Sequence, residues 1–230
     1  MSHIADPGSI RTHHFTAARR LRYAVVGTGP AVWFVLHGFN QLAPRFLRRF
    51  LALAGDGRRT VVAPEGLHRQ YVSGSYGHVG ASWMTKEDRE TDIGDYVCYL
   101  DSLAATLLGE PRAATVLGFS QGAHTALRWA ALGKTAFRRI VLWGAGLPDD
   151  MDLAGHKRVL AGSEIWLVRG LRDEYWSETA HSAAKDRLEA AGLVGNTLVY
   201  DGGHRIDTGA LLSLAGSPLP GHQSEGDPAP

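Results

Sequence analysis

A single cysteine, Cys98, stands among 230 residues, so no disulfide can form within the chain and packing must hold the fold together. Long apolar runs are missing as well. Nothing approaches the ~18 consecutive apolar residues of a membrane span, and Met1 to Gly8 contain no apolar signal core. The expectation is a cytoplasmic chain with no membrane span. Neither sign of charge dominates: 24 Lys and Arg stand against 23 Asp and Glu, a formal net charge of +1. With no basic run in addition, no electrostatic case exists for nucleic acid or an anionic membrane as partner. The sequence has no His-Glu-x-x-His pattern and no Cys/His cluster, which argues against a metal. Gly27-Thr28-Gly29-Pro30 precedes an apolar stretch that reads as a strand, whereas a dinucleotide loop would lead into a helix. No cofactor is expected. Internal repeats are absent, and the oligomeric state stays open between monomer and homodimer.

What is present reads as one α/β domain. Apolar residues make up 44% of the chain, enough to cover a sheet on both faces, and no Pro/Ser/Gly-rich linker interrupts the middle. Residues 1–10 and the Pro/Gly-rich stretch 215–230 read as flexible ends around a domain spanning 11–214. Within it, short apolar runs alternate with amphipathic ones. Ala31 to Leu36 reads as a strand buried on both faces, Leu42 to Leu53 as a helix, and Thr60 to Ala63 as a strand stopped by Pro64. Asp92 to Leu108 carries Ile93, Val97, Leu100, Ala104 and Leu107 at the spacing of one helical face. Cys98 lies in that helix and is expected in the core, as free cysteines usually are. The strand Thr115 to Leu117 is followed by a helix from Gln121 to Leu132. Then come strands at Arg139 to Trp143 and Ile165 to Val168, a helix from Ser177 to Ala191, and a last strand at Thr197 to Tyr200. This alternation predicts a mostly parallel sheet with right-handed crossovers. Thr12 to Phe15 and Leu21 to Val26, with no helix between them, suggest an edge hairpin.

Gly118-Phe119-Ser120-Gln121-Gly122 matches G-x-S-x-G between a predicted strand and a predicted helix. A chain reversing that sharply strains the serine backbone, and side chains at 118 and 122 would collide, hence glycine. The turn lifts the serine oxygen above the sheet at a helix N-terminus, where developing negative charge is favoured. A serine nucleophile needs a base, and the base needs a carboxylate to orient it. His204, after Gly202-Gly203 and the last strand, is the candidate base. His124, one helical turn past Ser120, is the rival, but its ring would run along the helix side. Asp173, beyond the strand that begins at Ile165, is the candidate acid, with Glu174, Asp149 and Asp150 as competitors. An oxyanion hole needs two N–H donors. The backbones of Gln121, after the nucleophile, and Phe39, in the loop His37-Gly38-Phe39-Asn40, are the candidates. His37 itself reads as a structural hydrogen-bonding residue.

Leu36-His37-Gly38-Phe39, Ala63-Pro64-Glu65-Gly66, Ala81-Ser82-Trp83-Met84, Leu117 to Gly122 and Gly202-Gly203-His204, in this order, resemble the phospholipase/carboxylesterase family of serine esterases, the group that includes acyl-protein thioesterases. The resemblance spans nearly the whole predicted domain. It implies an α/β-hydrolase fold with a mostly parallel sheet, helices on both faces, and the triad Ser120, Asp173 and His204. It also implies hydrolysis of a small acyl ester through an acyl-enzyme, with Trp83 bordering the acyl pocket. Met84 and Tyr71 are further candidates for substrate contact. The chain departs from the family pattern at Ala123, where a second glycine is common, and at Met84-Thr85, where Phe-Asp is common. The second departure lies in the substrate loop and points away from long-chain thioesters. Leu147 to Glu164 has room for about one short helix, so no large cap domain is expected. For Leu67 to Gly80, with Tyr71 and Tyr76, two readings stand: a loop bordering the substrate, or a packed surface loop.

Overall fold

The computed structural model describes residues 10–109 and 113–216. Of the ends expected to be flexible, 1–10 and 215–230, residues 1–9 and 217–230 lie outside the described ones. Seven strands form the main sheet: β1 (Tyr23–Val26), β2 (Ala31–Leu36), β3 (Arg59–Pro64), β6 (Ala114–Phe119), β7 (Phe137–Trp143), β8 (Glu164–Gly170) and β9 (Gly195–Tyr200), in the order β1-β3-β2-β6-β7-β8-β9. All neighbours run parallel except β1, which lies antiparallel on β3. β1 is the predicted Leu21 to Val26 segment. Its expected hairpin partner, Thr12 to Phe15, forms no strand, and Tyr23 to Val26 instead pair with Val61 to Pro64.

The strand period of two sorts side chains onto two faces. Val32, Phe34 and Leu36 of β2 point into one core with Val116, Ile140, Leu142 and Leu167. Trp33 and Val35 point into the other with Val61, Leu117, Val141 and Trp143. The first core is covered by α3 (Arg89–Leu108), α4 (Gln121–Leu132) and α6 (Glu178–Ala190). The second is covered by α1 (Ala43–Leu47), α2 (Leu51–Ala54) and α7 (Thr208–Gly216). Burying both faces of β2 explains its unbroken apolar run.

Four findings correct the sequence reading. The helix expected over Leu42 to Leu53 is broken by a 3-10 turn at Arg48–Phe50, with Phe50 leaving the helical region at φ −108°, ψ 7°. The expected loop at Leu67 to Gly80 contains β4 (His68–Tyr71) and the first half of β5 (Val79–Ser82), an antiparallel pair. Cys98 is exposed, because α3 buries the stripe Ile93, Tyr96, Val97, Leu100, Leu103 and Ala104, and position 98 falls outside it. The unpredicted α7 runs through Ala215 and Gly216, past the expected domain edge. Between β7 and β8 the only helix is the four-residue α5 (Lys157–Leu160), too little for a cap layer. No described helix is long and apolar enough to cross a membrane.

Strand order reverses between β2 and β6, since β3 lies beyond β2 on one side while β6 to β9 extend on the other. Such a switch point opens a crevice at the carboxyl ends of the strands. The loop His37 to Gln41 and the turn at Ser120 both leave the sheet there.

Candidate active site

Ser120 joins β6 to α4 with φ 54° and ψ −120°, a backbone that costs about 1–3 kcal/mol for a non-glycine residue. Its neighbours over-determine it. The Ser120 N–H donates to the Trp143 carbonyl at 2.8 Å, and its carbonyl accepts from the Ala123 N–H at 2.9 Å. The flanking glycines are sterically required. A Cβ on Gly118 would lie 2.0 Å from the Gly122 carbonyl oxygen, and one on Gly122 would lie 2.3 Å from that of Leu36. The glycines are thus required because a side chain at either position would strike backbone, that of Gly122 and Ala123 from 118 and that of Leu36 and His37 from 122, and not because side chains at 118 and 122 would meet each other.

His204 sits on the loop after β9, which Trp143 and Tyr200 hold down. Trp143 Nε1 donates to the Arg205 carbonyl at 2.9 Å, and the Tyr200 hydroxyl donates to that of Gly203 at 2.9 Å. The imidazole lies between Phe119, the residue before Ser120, with ring centroids 4.7 Å apart, and Tyr175 at 4.8 Å. Gly144, with φ 67°, leaves room for it: a Cβ there would be 3.0 Å from His204 Cε1.

Asp173 meets His204. Its Oδ2 lies 2.9 Å and its Oδ1 3.1 Å from His204 Nδ1. The carboxylate is wholly buried, and Oδ1 also accepts from the backbone N–H of Tyr175 at 3.0 Å and of Trp176 at 3.1 Å. An ionised carboxylate only accepts, so this pairing selects the imidazole tautomer with the proton on Nδ1 and the lone pair on Nε2. The competitors are elsewhere. Glu174 is exposed, Asp149 pairs with Arg187 at 3.5 Å, and Asp150 accepts from Arg128 at 2.8 Å and from Arg89. His124 lies away from Asp173, on a cavity with Arg128, and burial together with that guanidinium pushes its pKa down to about 4.

The two candidate oxyanion donors flank the same corner. The Phe39 and Gln121 backbone N–H groups meet no acceptor among the described residues, whereas around them Gly38 N–H donates to Gln41 Oε1 and Asn40 N–H to the Ala81 carbonyl. A Cβ on Gly38 would lie 3.2 Å from Ser120 Cβ, which shows how closely the loop approaches the serine. His37 is fully buried, as its structural role requires. Its Nδ1 bonds the Gly38 carbonyl at 2.8 Å and its Nε2 accepts from Gly66 N–H at 2.9 Å, and burial pushes its pKa down.

The substrate candidates divide. Trp83 is fully buried, donating from Nε1 to the His37 carbonyl at 2.8 Å and packed against His37 and Tyr96. That is a core position, behind the surface where an acyl pocket was expected. Met84 lines the cavity beside Gln121. Tyr71, at the end of β4, is 54% exposed. The sequence reading missed the Gln121 side chain. Its Oε1 accepts from Trp83 N–H at 3.1 Å and its Nε2 donates to the Met84 carbonyl at 2.9 Å, which ties the 82–84 segment to the start of α4. The Gln after the serine in the motif was the available signal. Among the described residues no cluster of three or more His, Cys, Asp or Glu could hold a metal.

No protein-family model matches the sequence, and no curated protein does. Solved structures do match. Esterase PE8 is 20% identical over 85% of this chain and 96% of its own, with a TM-score of 0.67. The acyl-protein thioesterase 2 of Zea mays is 19% identical, covering 84% and 95%, with a TM-score of 0.62. The Bacillus cereus carboxylesterase is 18% identical, covering 84% and 91%, also at 0.62. With its mostly parallel sheet, strand–serine–helix turn and order of elements, the chain has the α/β-hydrolase fold that these proteins share.

Proposed function

We propose that the chain is a serine carboxylesterase that hydrolyses short to medium acyl esters through an acyl-enzyme on Ser120. The observation that carries this reading is the strained Ser120, directly after the Phe119 ring that packs on His204, with the His204 Nδ1 held by the buried Asp173. The likeness in fold to an esterase, a carboxylesterase and an acyl-protein thioesterase supports it.

In this reading Ser120 Oγ attacks the ester carbonyl carbon while His204 Nε2 takes the serine proton. The carbonyl oxygen becomes an oxyanion facing the Phe39 and Gln121 N–H groups, and Asp173 stabilises the imidazolium. As the tetrahedral intermediate collapses, the C–O bond to the alcohol breaks and His204 returns the proton to the leaving oxygen. Water then attacks the acyl-enzyme, giving its proton to His204. The acid departs and Ser120 recovers its hydrogen. Every step uses groups of this chain and the two reactants.

The same groups would cleave a thioester or a lysophospholipid, and the Zea mays neighbour is named a thioesterase. What speaks for a short acyl arm is the cavity beside Gln121, about 300 Å³ and lined partly by charged residues, which is a poor host for a long acyl chain. A fluorophosphonate probe tests the chemistry. The unmodified protein should label and hydrolyse 4-nitrophenyl butanoate, and Ser120→Ala should do neither. Equal labelling of both proteins would remove Ser120 from the role.

A further inference from the structure

Against Gln121, one residue from Ser120, a cavity of about 300 Å³ opens between α4, the start of α3 and the loop after β7. At ~30 Å³ per water it holds roughly ten waters, room for a short acyl arm. Charged side chains reach its wall, Arg89, Arg128, Asp149 and Asp150, which is unusual for a site that takes apolar groups alone. Arg128, on α4, is buried with its side chain only 7% exposed. Its Nη2 donates to Asp150 Oδ1 at 2.8 Å, but Nη1 finds only the Met84 sulfur, a weak acceptor, at 3.6 Å. Asp150 is shared: Arg89 donates to its other oxygen.

One carboxylate thus serves two guanidinium groups inside the cavity. The other acids nearby are engaged elsewhere: Asp149, at the rim of the cavity, is fully exposed and pairs with Arg187 at 3.5 Å, and Glu90, bound to Arg89 at 2.7 Å, is 82% exposed. His124 on the same wall adds no acceptor charge. Beside Arg128 the Tyr96 hydroxyl is buried with its oxygen toward the guanidinium, and burial pushes its pKa up to about 12, which keeps it neutral. If Arg128 were only a strut between α4 and the loop after β7, its donors would be spent on protein oxygens. Its Nη1 is not, since it meets the Met84 sulfur.

We infer that this cavity takes a carboxylate carried by the acyl arm of the substrate, so that the preferred esters are monoesters of short dicarboxylic acids. The inference rests on the esterase reading and names the substrate class for that site. A carboxylate would give Arg128 Nη1 the charged acceptor it lacks, and a guanidinium holds a carboxylate in bidentate geometry.

The test compares kcat/KM for the 4-nitrophenyl monoester of glutaric acid and for 4-nitrophenyl pentanoate, which matches it in chain length. A hydrogen bond to a charged group is worth about tenfold or more, so the glutarate ester should lead by at least about tenfold. Arg128→Met should bring that ratio to about one. Should that variant fail to fold, inhibition of the unmodified protein decides the matter: glutarate should compete with the pentanoate ester at least about tenfold better than pentanamide does. A ratio of one or less in the unmodified protein overturns the inference and leaves the esterase reading standing. So does a preference for a carboxylate on the alcohol arm, or glutarate inhibiting no better than pentanamide. If neither ester is cleaved and the fluorophosphonate does not label, the esterase reading itself fails and the inference with it.

Discussion

At the scale of single residues, Asp173 and Glu174 are adjacent carboxylates that sequence spacing barely separates, yet their surroundings differ completely. Glu174 is in solvent, while Asp173 is buried against His204 and accepts two backbone N–H bonds from Tyr175 and Trp176. Those N–H groups come from the turn that begins α6, so the position of the turn selects which acid reaches the imidazole. Asp173→Asn replaces an acceptor with an amide that can present a donor to Nδ1, turning the imidazole to the wrong tautomer. Ester turnover should fall by about 10⁴-fold, with the fold retained. Glu174→Gln should stay within about twofold, because an exposed loop charge away from special features changes little. A severe loss in Glu174→Gln together with a mild one in Asp173→Asn would move the acid by one position. The measurement is kcat/KM on one soluble ester, with circular dichroism to confirm folding.

At the scale of elements, most of the main sheet was legible, because its strands are apolar on both faces and are bounded by turns. Ala31 to Leu36 and Gln121 to Leu132 match their elements to the residue. What was hidden had a physical reason in each case. The strand His68-Arg69-Gln70-Tyr71 has no apolar alternation, since it lies in a two-stranded ribbon outside the main sheet, and it therefore read as loop. The helix after His204 is short and nearly uniformly apolar, so no amphipathic period marked it. Cys98 was drawn into the core by the habit of its residue type, while the geometry of α3 gave the buried stripe to Tyr96, Val97 and Leu100. The serine, histidine and aspartate of the candidate site could be read from position. The Gln121 clamp and the Arg128–Asp150–Arg89 cluster could not, because their partners are far apart in sequence. Asp101 is another such tie. It accepts from Trp129 Nε1 at 2.8 Å, the Lys134 N–H at 2.7 Å and the Thr135 hydroxyl at 2.7 Å, and so joins α3 to α4 and to the turn before β7. Asp101→Ala leaves the buried Trp129 N–H without an acceptor, at a cost of about 3 kcal/mol. At about 2–4 °C per kcal/mol for a chain of this size, calorimetry should find Tm lowered by about 6–12 °C. A loss under about 2 °C would mean that the clamp contributes nothing.

At the scale of the whole molecule, a parallel sheet that reverses its strand order brings the ends of β2 and β6 to one crevice, where Ser120 and the His37 to Gln41 loop meet. With only α5 between β7 and β8, the crevice has no cap layer over it from that side. Building it has a consequence for stability. Burial lowers the pKa of His37, His124 and His181, in the case of His124 to about 4, with the positive charge of Arg128 adding to the effect there and that of Arg169 at His181. In the unfolded chain these imidazoles take protons at about 6.5. Between that value and the folded one the unfolded state binds more protons, so stability is full above about pH 6.5 and falls as the pH drops toward 4. The midpoint of urea unfolding should therefore decline steadily from pH 7 to 4.5. A flat or rising midpoint would contradict the buried, neutral histidines. The central claim, that Ser120 is the nucleophile, is tested most directly by reacting the folded protein with a fluorophosphonate, digesting it and locating the added mass. One phosphonyl group on Ser120, absent after Asp173→Asn on the same timescale, is the predicted result. Modification of any other serine, with Ser120 unmodified, would contradict the account.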